Sequence, residues 1–113
     1  MKPVPPVDFD QLHLLTLGDE EVCRQVVRSF LARLPEYRKE LPRAAADPQE
    51  FAFLLHRLKG ASLAVAARPL ARRIARIEQL PGASAAQRRA AAGEVLLELA
   101  AVERALSGKG GAR

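Results

Sequence analysis

The chain of 113 residues is 49 % hydrophobic but only 4 % aromatic, and it carries a formal net charge of +5. Its length predicts one domain over residues 1–113, and a composition rich in Ala and Leu is typical of helices. The lone Cys23 excludes an internal disulfide, and no apolar stretch approaches the roughly 20 residues that cross a bilayer, so we expect a cytoplasmic protein without membrane contact.

The first seven residues contain three prolines, which predict an extended lead-in over residues 1–7. Asp8 then offers a side-chain cap, and apolar residues at helical spacing predict a short helix to about Thr16, which closes one end of the fold. His13 lies on this helix with no Lys-Gly pair near it. We therefore interpret His13 as a surface residue without a catalytic role.

A long amphipathic helix is predicted next. Acidic residues at positions 19–21 suit the positive end of a helix dipole, and apolar residues then recur every three or four positions to about Ala45. Pro35 and Pro42 lie inside this pattern, and each removes a backbone donor, so we expect them to kink or divide the helix. Cys23 and Tyr37 occupy core positions of the pattern, which favours packing over reactivity for both.

Three further segments read as helices. Asp47-Pro48 is a cap followed by proline at the first helical position, which predicts a helix that runs to about Ala66 and ends before Arg68-Pro69. The next helix is predicted from about Pro69 to Leu80, where Pro81-Gly82 stops it. The last begins near Ser84, with a flexible tail over residues 107–113.

Both of these last helices have a regular inner face. The predicted inner-face residues are Leu70, Ile74, Ile77, Ala92, Val95, Leu99, Val102 and Leu106. Four long helices joined by short loops predict an all-α fold, an antiparallel up-and-down four-helix bundle with a short additional N-terminal helix.

The helix after Asp47 has an unusual outer face. At about 100° per residue, its core side carries Phe51, Leu54, Leu55, Leu58, Ser62 and Val65. The opposite side lacks the charges of an ordinary surface helix and carries Ala52, Phe53, His56, Gly60, Leu63 and Ala67, with Lys59 at its edge. We therefore expect one exposed imidazole on a weakly apolar docking surface.

These neighbours indicate a chemical role for His56, although a surface histidine without function is the plain alternative. A neutral imidazole is a nucleophile near pH 7 and can attack a phosphoryl group. Gly60, one turn later, costs about 1 kcal/mol of helix stability relative to Ala, which indicates that clearance above the ring is needed. Lys59 is placed to offset phosphoryl charge. No carboxylate lies near His56 in sequence, so a partner would complete the site.

The segment His56-Arg57-Leu58-Lys59-Gly60-Ala61-Ser62 resembles the motif of the histidine-containing phosphotransfer domain family, His-x-Leu-Lys-Gly-small-small. The resemblance extends more loosely from about Phe9 to Leu106, and it departs at Ala66, where the family usually has Gly. It implies a four-helix bundle in which His56 accepts a phosphoryl group from an aspartate of a receiver domain and passes it to another. Lys59 would be the charge partner and Gly60 the clearance residue.

The same resemblance implies receiver domains, a hybrid sensor histidine kinase, or both as partners. It implies a phosphoryl carrier without independent catalytic turnover and without a metal or cofactor of its own, since magnesium belongs to the receiver. Arg57 occupies the position where the dimerisation helix of sensor kinases usually has an acidic residue, which argues against that related motif. The chain has no nucleotide-binding loop, so it is not expected to phosphorylate itself from ATP.

Two alternatives stay open. The first is a docking module that binds a receiver or sensor kinase through the same helix face without carrying phosphate. The second concerns six of the arginines in the last two helices, namely Arg68, Arg72, Arg73, Arg76, Arg88 and Arg89. Our first interpretation is that they form solvated faces, and the second is a patch that selects an acidic partner. A nucleic-acid site ranks third, because no aromatic residues interleave with the arginines.

Overall fold

The computed structural model describes residues 4–108, and these form five helices and no strand. The helices are α1 (Phe9–Leu15), α2 (Glu20–Ala44), α3 (Pro48–Ala64), α4 (Arg68–Glu78) and α5 (Ala85–Leu106). The prediction of an all-α fold is therefore confirmed. Helix α2 packs against α3 and α5, α4 packs against the same two helices, and α1 rests on α2. These pairings form a helical bundle to which α1 adds a short N-terminal helix. In the part of the chain so described, no helix is long and apolar enough to cross a membrane.

Side-chain caps fix where most of the helices begin. Asp8, Asp19 and Asp47 each accept hydrogen bonds from backbone amides of the first turn. Ser84 forms a capping box with the third helical residue of α5. Helix α4 has no side-chain cap and begins after Ala67 instead. The predicted starts at these four polar residues agree with the structure because a cap is a local signal that tertiary packing does not override.

Helix α2 is continuous despite its two internal prolines. Pro35 and Pro42 both lie within the helix and both are exposed, so of the two expected effects, a kink or a division, the division does not occur. Each proline forfeits one backbone hydrogen bond, at a cost of up to about 3 kcal/mol in a helix interior. The neighbouring Leu34 and Leu41 are completely buried, and burial of two such side chains contributes a comparable stabilisation. Tyr37 is also buried, as its spacing predicted.

The turn between α3 and α4 comes earlier than the sequence suggested. Helix α3 ends at Ala64, and Ala66 adopts a left-handed conformation with φ of 58°. This conformation favours glycine, which explains why the resembling motif usually has glycine at this position. The Ala66 carbonyl accepts a 3.0 Å hydrogen bond from the Asp8 amide. Because the helix has ended, Ala67 turns inward and is fully buried, so its predicted place on the outer face is wrong.

The two ends of the chain are described only in part. Residues 4–7 are not helical, as predicted, and Val7 is buried against the core. Ser107, the first residue of the predicted flexible tail, has helical backbone angles. The remaining positions of the lead-in and tail, residues 1–3 and 109–113, lie outside the described residues.

The core lies among α2, α3, α4 and α5, and α1 contributes Leu12 to it. Its largest fully buried side chains are Leu12, Leu34, Leu41, Leu55, Leu58, Leu70, Ile74, Leu99, Leu106, Val65, Val95 and Val102. The predicted inner faces of α4 and α5 are confirmed, with Ile77 and Cys23 partly buried against this core. The packing fixes the rotation of α3, and that rotation decides which of its residues face solvent.

Leu17, between α1 and α2, offers a test of backbone strain. It has φ of 56° and is 92 % exposed. The left-handed conformation costs Leu about 1 to 2 kcal/mol, whereas Asn visits it readily. We expect Leu17→Asn to raise the free energy of unfolding by about 0.5 to 1 kcal/mol in chemical denaturation. Leu14, exposed but helical, is the control, and an equal gain from Leu14→Asn would contradict the explanation.

Candidate functional site

The outer face of α3 presents His56 to solvent. The His56 side chain is 75 % exposed. Phe53 is 66 % and Leu63 50 % exposed, which is high for apolar side chains of this size. Ala52 and Gly60 are exposed on the same helix. The structure thus brings these predicted residues together on one surface, from which only the buried Ala67 is missing.

The opposite face of α3 holds the helix in this orientation. Phe51, Leu55, Leu58 and Ser62 are buried there. The Ser62 hydroxyl donates a 2.7 Å hydrogen bond to the Leu58 carbonyl, so the small polar residue brings no unpaired group into the core. Rotating α3 to bury the imidazole would expose these side chains. The free-energy cost of removing them from the core keeps His56 exposed to solvent.

Glu78 joins the site from α4, and local sequence reasoning missed it. Its Oε1 accepts a 2.5 Å hydrogen bond from Lys59 Nζ, and its Oε2 lies 3.7 Å from His56 Nδ1. The side chains of Lys59 and Glu78 are only 28 % and 21 % exposed. One carboxylate therefore lies between the ring and the cation. The available signal was weak: Glu78 is the one acidic residue of α4, at the end that returns toward the middle of α3.

This geometry distinguishes the two ring nitrogens. A carboxylate oxygen beside Nδ1 favours the tautomer that carries its proton on Nδ1. At 3.7 Å the interaction is electrostatic, because the distance exceeds that of a hydrogen bond. Nε2 then keeps its lone pair. The arrangement can support nucleophilic attack by Nε2 on an electrophile brought by another molecule.

Gly60 leaves open space next to His56. A Cβ atom added at Gly60 would meet no atom within 4 Å, so internal packing does not require a glycine. The same holds for Gly93 on α5. A glycine in a helix interior costs about 1 kcal/mol relative to Ala, and no contact within the described chain offsets that cost at Gly60. What the missing side chain preserves is free volume above the surface of α3.

An apolar groove of about 620 Å³ lies on the other side of His56, between α3 and the loop from α4 to α5. Phe51, Leu55 and Ile77 contribute to its walls. Arg88 also lines it, but its guanidinium donates to the Ala45 carbonyl at 2.7 Å and to a loop carbonyl at 2.6 Å. Because its basic group is already paired, the groove offers mainly apolar surface.

The six arginines that the sequence singled out in α4 and α5 divide into two groups. Arg73 pairs with Glu94 at 3.0 Å and with Glu98 at 3.3 Å. Together with the half-buried Arg88 it fastens neighbouring elements, so the prediction of solvated faces is wrong for these two residues. The residues of the second group are exposed, as predicted; they are Arg68, Arg72, Arg76 and Arg89.

Comparison with known families bears directly on this site. The Hpt domain model matches residues 25–107, a range that contains most of α2 and all of α3, α4 and α5. Comparison with curated proteins and with solved structures gives no significant match. Hpt domains carry out histidine phosphotransfer in phosphorelays, in which they interact with receiver domains and kinases. The matched range covers well over half of the chain, and it includes His56, Lys59, Gly60 and Glu78; the chain belongs to the Hpt domain family.

Proposed function

We propose that His56 accepts a phosphoryl group from an aspartate of one receiver domain and passes it to another. The observation that carries this proposal is the 75 % exposed imidazole within the family's matched range, with a cation one turn away. The protein acts as a carrier, so it needs no nucleotide. The cytoplasm is the proposed compartment, since a lone cysteine such as Cys23 stays reduced there.

The transfer step balances with the groups at hand. The lone pair of His56 Nε2 attacks the phosphorus of an aspartyl phosphate, so that an N–P bond forms while the O–P bond breaks and the aspartate leaves as a carboxylate. The Nδ1 proton stays on the ring, and the positive charge that the ring then gains faces the Glu78 carboxylate. Attack by a second aspartate reverses the sequence and restores the neutral ring.

Lys59 is the proposed partner of the phosphoryl oxygens. Its ammonium lies one helical turn from His56 and already shares the Glu78 carboxylate with the ring. A cation in that place offsets the charge that develops on the phosphoryl oxygens during transfer. Gly60 leaves room for the receiver to bring its aspartate to the ring, and the exposed Ala52, Phe53 and Leu63 supply the docking surface.

Lys59→Ala is expected to slow phosphoryl transfer by about 10- to 100-fold, because it removes one charged donor at the reacting group. The free energy of unfolding should change by less than about 1 kcal/mol, since the ion pair with Glu78 is partly exposed to solvent. Single-turnover transfer rates and chemical denaturation measure the two effects. Lys39→Ala, on the exposed surface of α2, is the matched control. Equal rates for the two variants would contradict the role of Lys59.

The direct test is incubation of the protein with a labelled, phosphorylated receiver domain. We expect label to move to this protein and to be acid-labile and base-stable, as a phosphoramidate is. The label should return to a second, unphosphorylated receiver. Absence of acid-labile phosphate across a panel of receivers that bind the protein would contradict the proposal.

A second function is favoured by the exposure of Phe53 and Leu63. Such apolar residues suit a docking module that binds a receiver or sensor kinase without carrying phosphate. That function predicts stable binding with no label on His56. The incubation described above therefore distinguishes the two.

A further inference from the structure

The outer face of α4 carries a row of arginines that the proposed chemistry does not use. Arg68, Arg72 and Arg76 follow one another at intervals of four residues, and all three are exposed. At 1.5 Å per residue they extend over about 12 Å on one side of the helix. These three residues form the α4 basic stripe.

The positive charge of the stripe is hardly compensated within the described chain. Among residues 4–108, Arg72 and Arg76 form no ion pair, and Arg68 lies 3.9 Å from Asp8 with both side chains about half exposed. Arg73, on the side of α4 that faces α5, is in contrast paired with two carboxylates. Like charges at a spacing of four residues destabilise a helix by a few tenths of a kcal/mol per pair. An anion from outside the chain would remove this repulsion.

The helix that carries the stripe packs against the helix that carries His56. Helices α3 and α4 form the most extensive helix pair, and Glu78 at the end of α4 contacts both Lys59 and His56. A protein interface of ordinary size covers about 800 Å² on each partner. A protein that docks on His56 therefore reaches beyond α3 onto the neighbouring helix.

An acidic protein surface fits the stripe better than a nucleic acid. The stripe is a single short row, and α4 has no aromatic residue on which a base could stack. Complementary charge at the rim of a protein interface, by contrast, speeds association and selects the partner.

We propose that the α4 basic stripe binds an acidic surface of the receiver domain that exchanges phosphate with His56, an inference that rests on the proposed function. Receivers with acidic residues beside their phosphorylation site are thereby preferred over neutral or basic ones. The preference is electrostatic, so it weakens as ionic strength rises.

The experiment compares two charge-reversal variants of the full chain. Arg72→Glu with Arg76→Glu alters the stripe, and Arg89→Glu with Arg104→Glu makes the same change in net charge on the exposed surface of α5. Binding to an unphosphorylated receiver domain is measured at low and at physiological ionic strength. We expect the stripe variant to bind about tenfold more weakly at low ionic strength, mainly through slower association, and the control to stay within about twofold.

Equal weakening of the two variants, or none in either, would overturn the inference. So would tighter binding of duplex DNA than of the receiver if that binding also depends on the stripe. The transfer assay separates this inference from the proposed function. If binding depends on the stripe but no phosphate appears on His56, phosphoryl transfer is refuted and the role of the stripe in binding is supported. If transfer is normal and binding is unchanged in the variant with Arg72→Glu and Arg76→Glu, only the role of the stripe in binding is refuted.

Discussion

His56→Gln is expected to abolish phosphoryl transfer, with a fall in rate of roughly 1,000-fold or more, because the Gln amide has no nucleophilic nitrogen. The fold should persist. Since the side chain is 75 % exposed, the free energy of unfolding is expected to change by no more than about 0.5 kcal/mol. Transfer of label from a phosphorylated receiver measures the first effect, and thermal unfolding followed by circular dichroism measures the second.

His13 provides a matched control for that experiment. It is the other histidine of the chain and is exposed on α1, and no Lys-Gly pair follows it as at His56. His13→Gln should transfer phosphate at the parental rate. Label appearing on the His56 variant as readily as on the parent would remove His56 from the mechanism, whatever the behaviour of the control.

Gly60→Leu is expected to separate stability from function. A Cβ atom added at this position would meet no atom within 4 Å, so the first atom of the side chain causes no clash. Helix propensity then favours Leu over Gly by somewhat under 1 kcal/mol, and the variant should be slightly more stable than the parent. The same side chain fills the space through which a receiver approaches His56. We expect the second-order rate of transfer to fall by at least about 100-fold, since a misplacement of about 1 Å at a reacting centre has that effect.

Gly93→Leu isolates the effect of helix propensity. Gly93 is also exposed within a helix and also has no atom within 4 Å of an added Cβ. It lies on α5, away from His56. This variant should gain a similar stability and transfer at the parental rate. If Gly60→Leu also transferred at the parental rate, the clearance role of Gly60 would be wrong.

Much of the fold could be predicted because its signals are local. The caps Asp8, Asp47 and Ser84 mark helix starts, and the apolar spacing in α3 gives the rotation that leaves His56 outside. The prediction for Ala67 was wrong because periodicity applies only while a helix continues. Helix α3 stops at Ala64, and nothing in the spacing of its apolar residues reports that end.

The parts of the site that could not be predicted depend on contacts between distant segments. Glu78 reaches His56 and Lys59 only because α4 folds back along α3. Arg73 was interpreted as a solvated residue, yet it pairs across helices with Glu94 on α5. Local sequence gives the type and spacing of such residues. It does not give the relative positions of two helices, which the packing of the core determines.

Arg88 joins two loops at the end of the molecule nearest the apolar groove. One planar guanidinium holds the carbonyl of Ala45, which follows α2, and that of Ala83, which precedes α5. These hydrogen bonds hold together two loops that are far apart in the sequence. Through these hydrogen bonds the start of α3 is tied to α2 and α5, so the position of the imidazole depends on three helices.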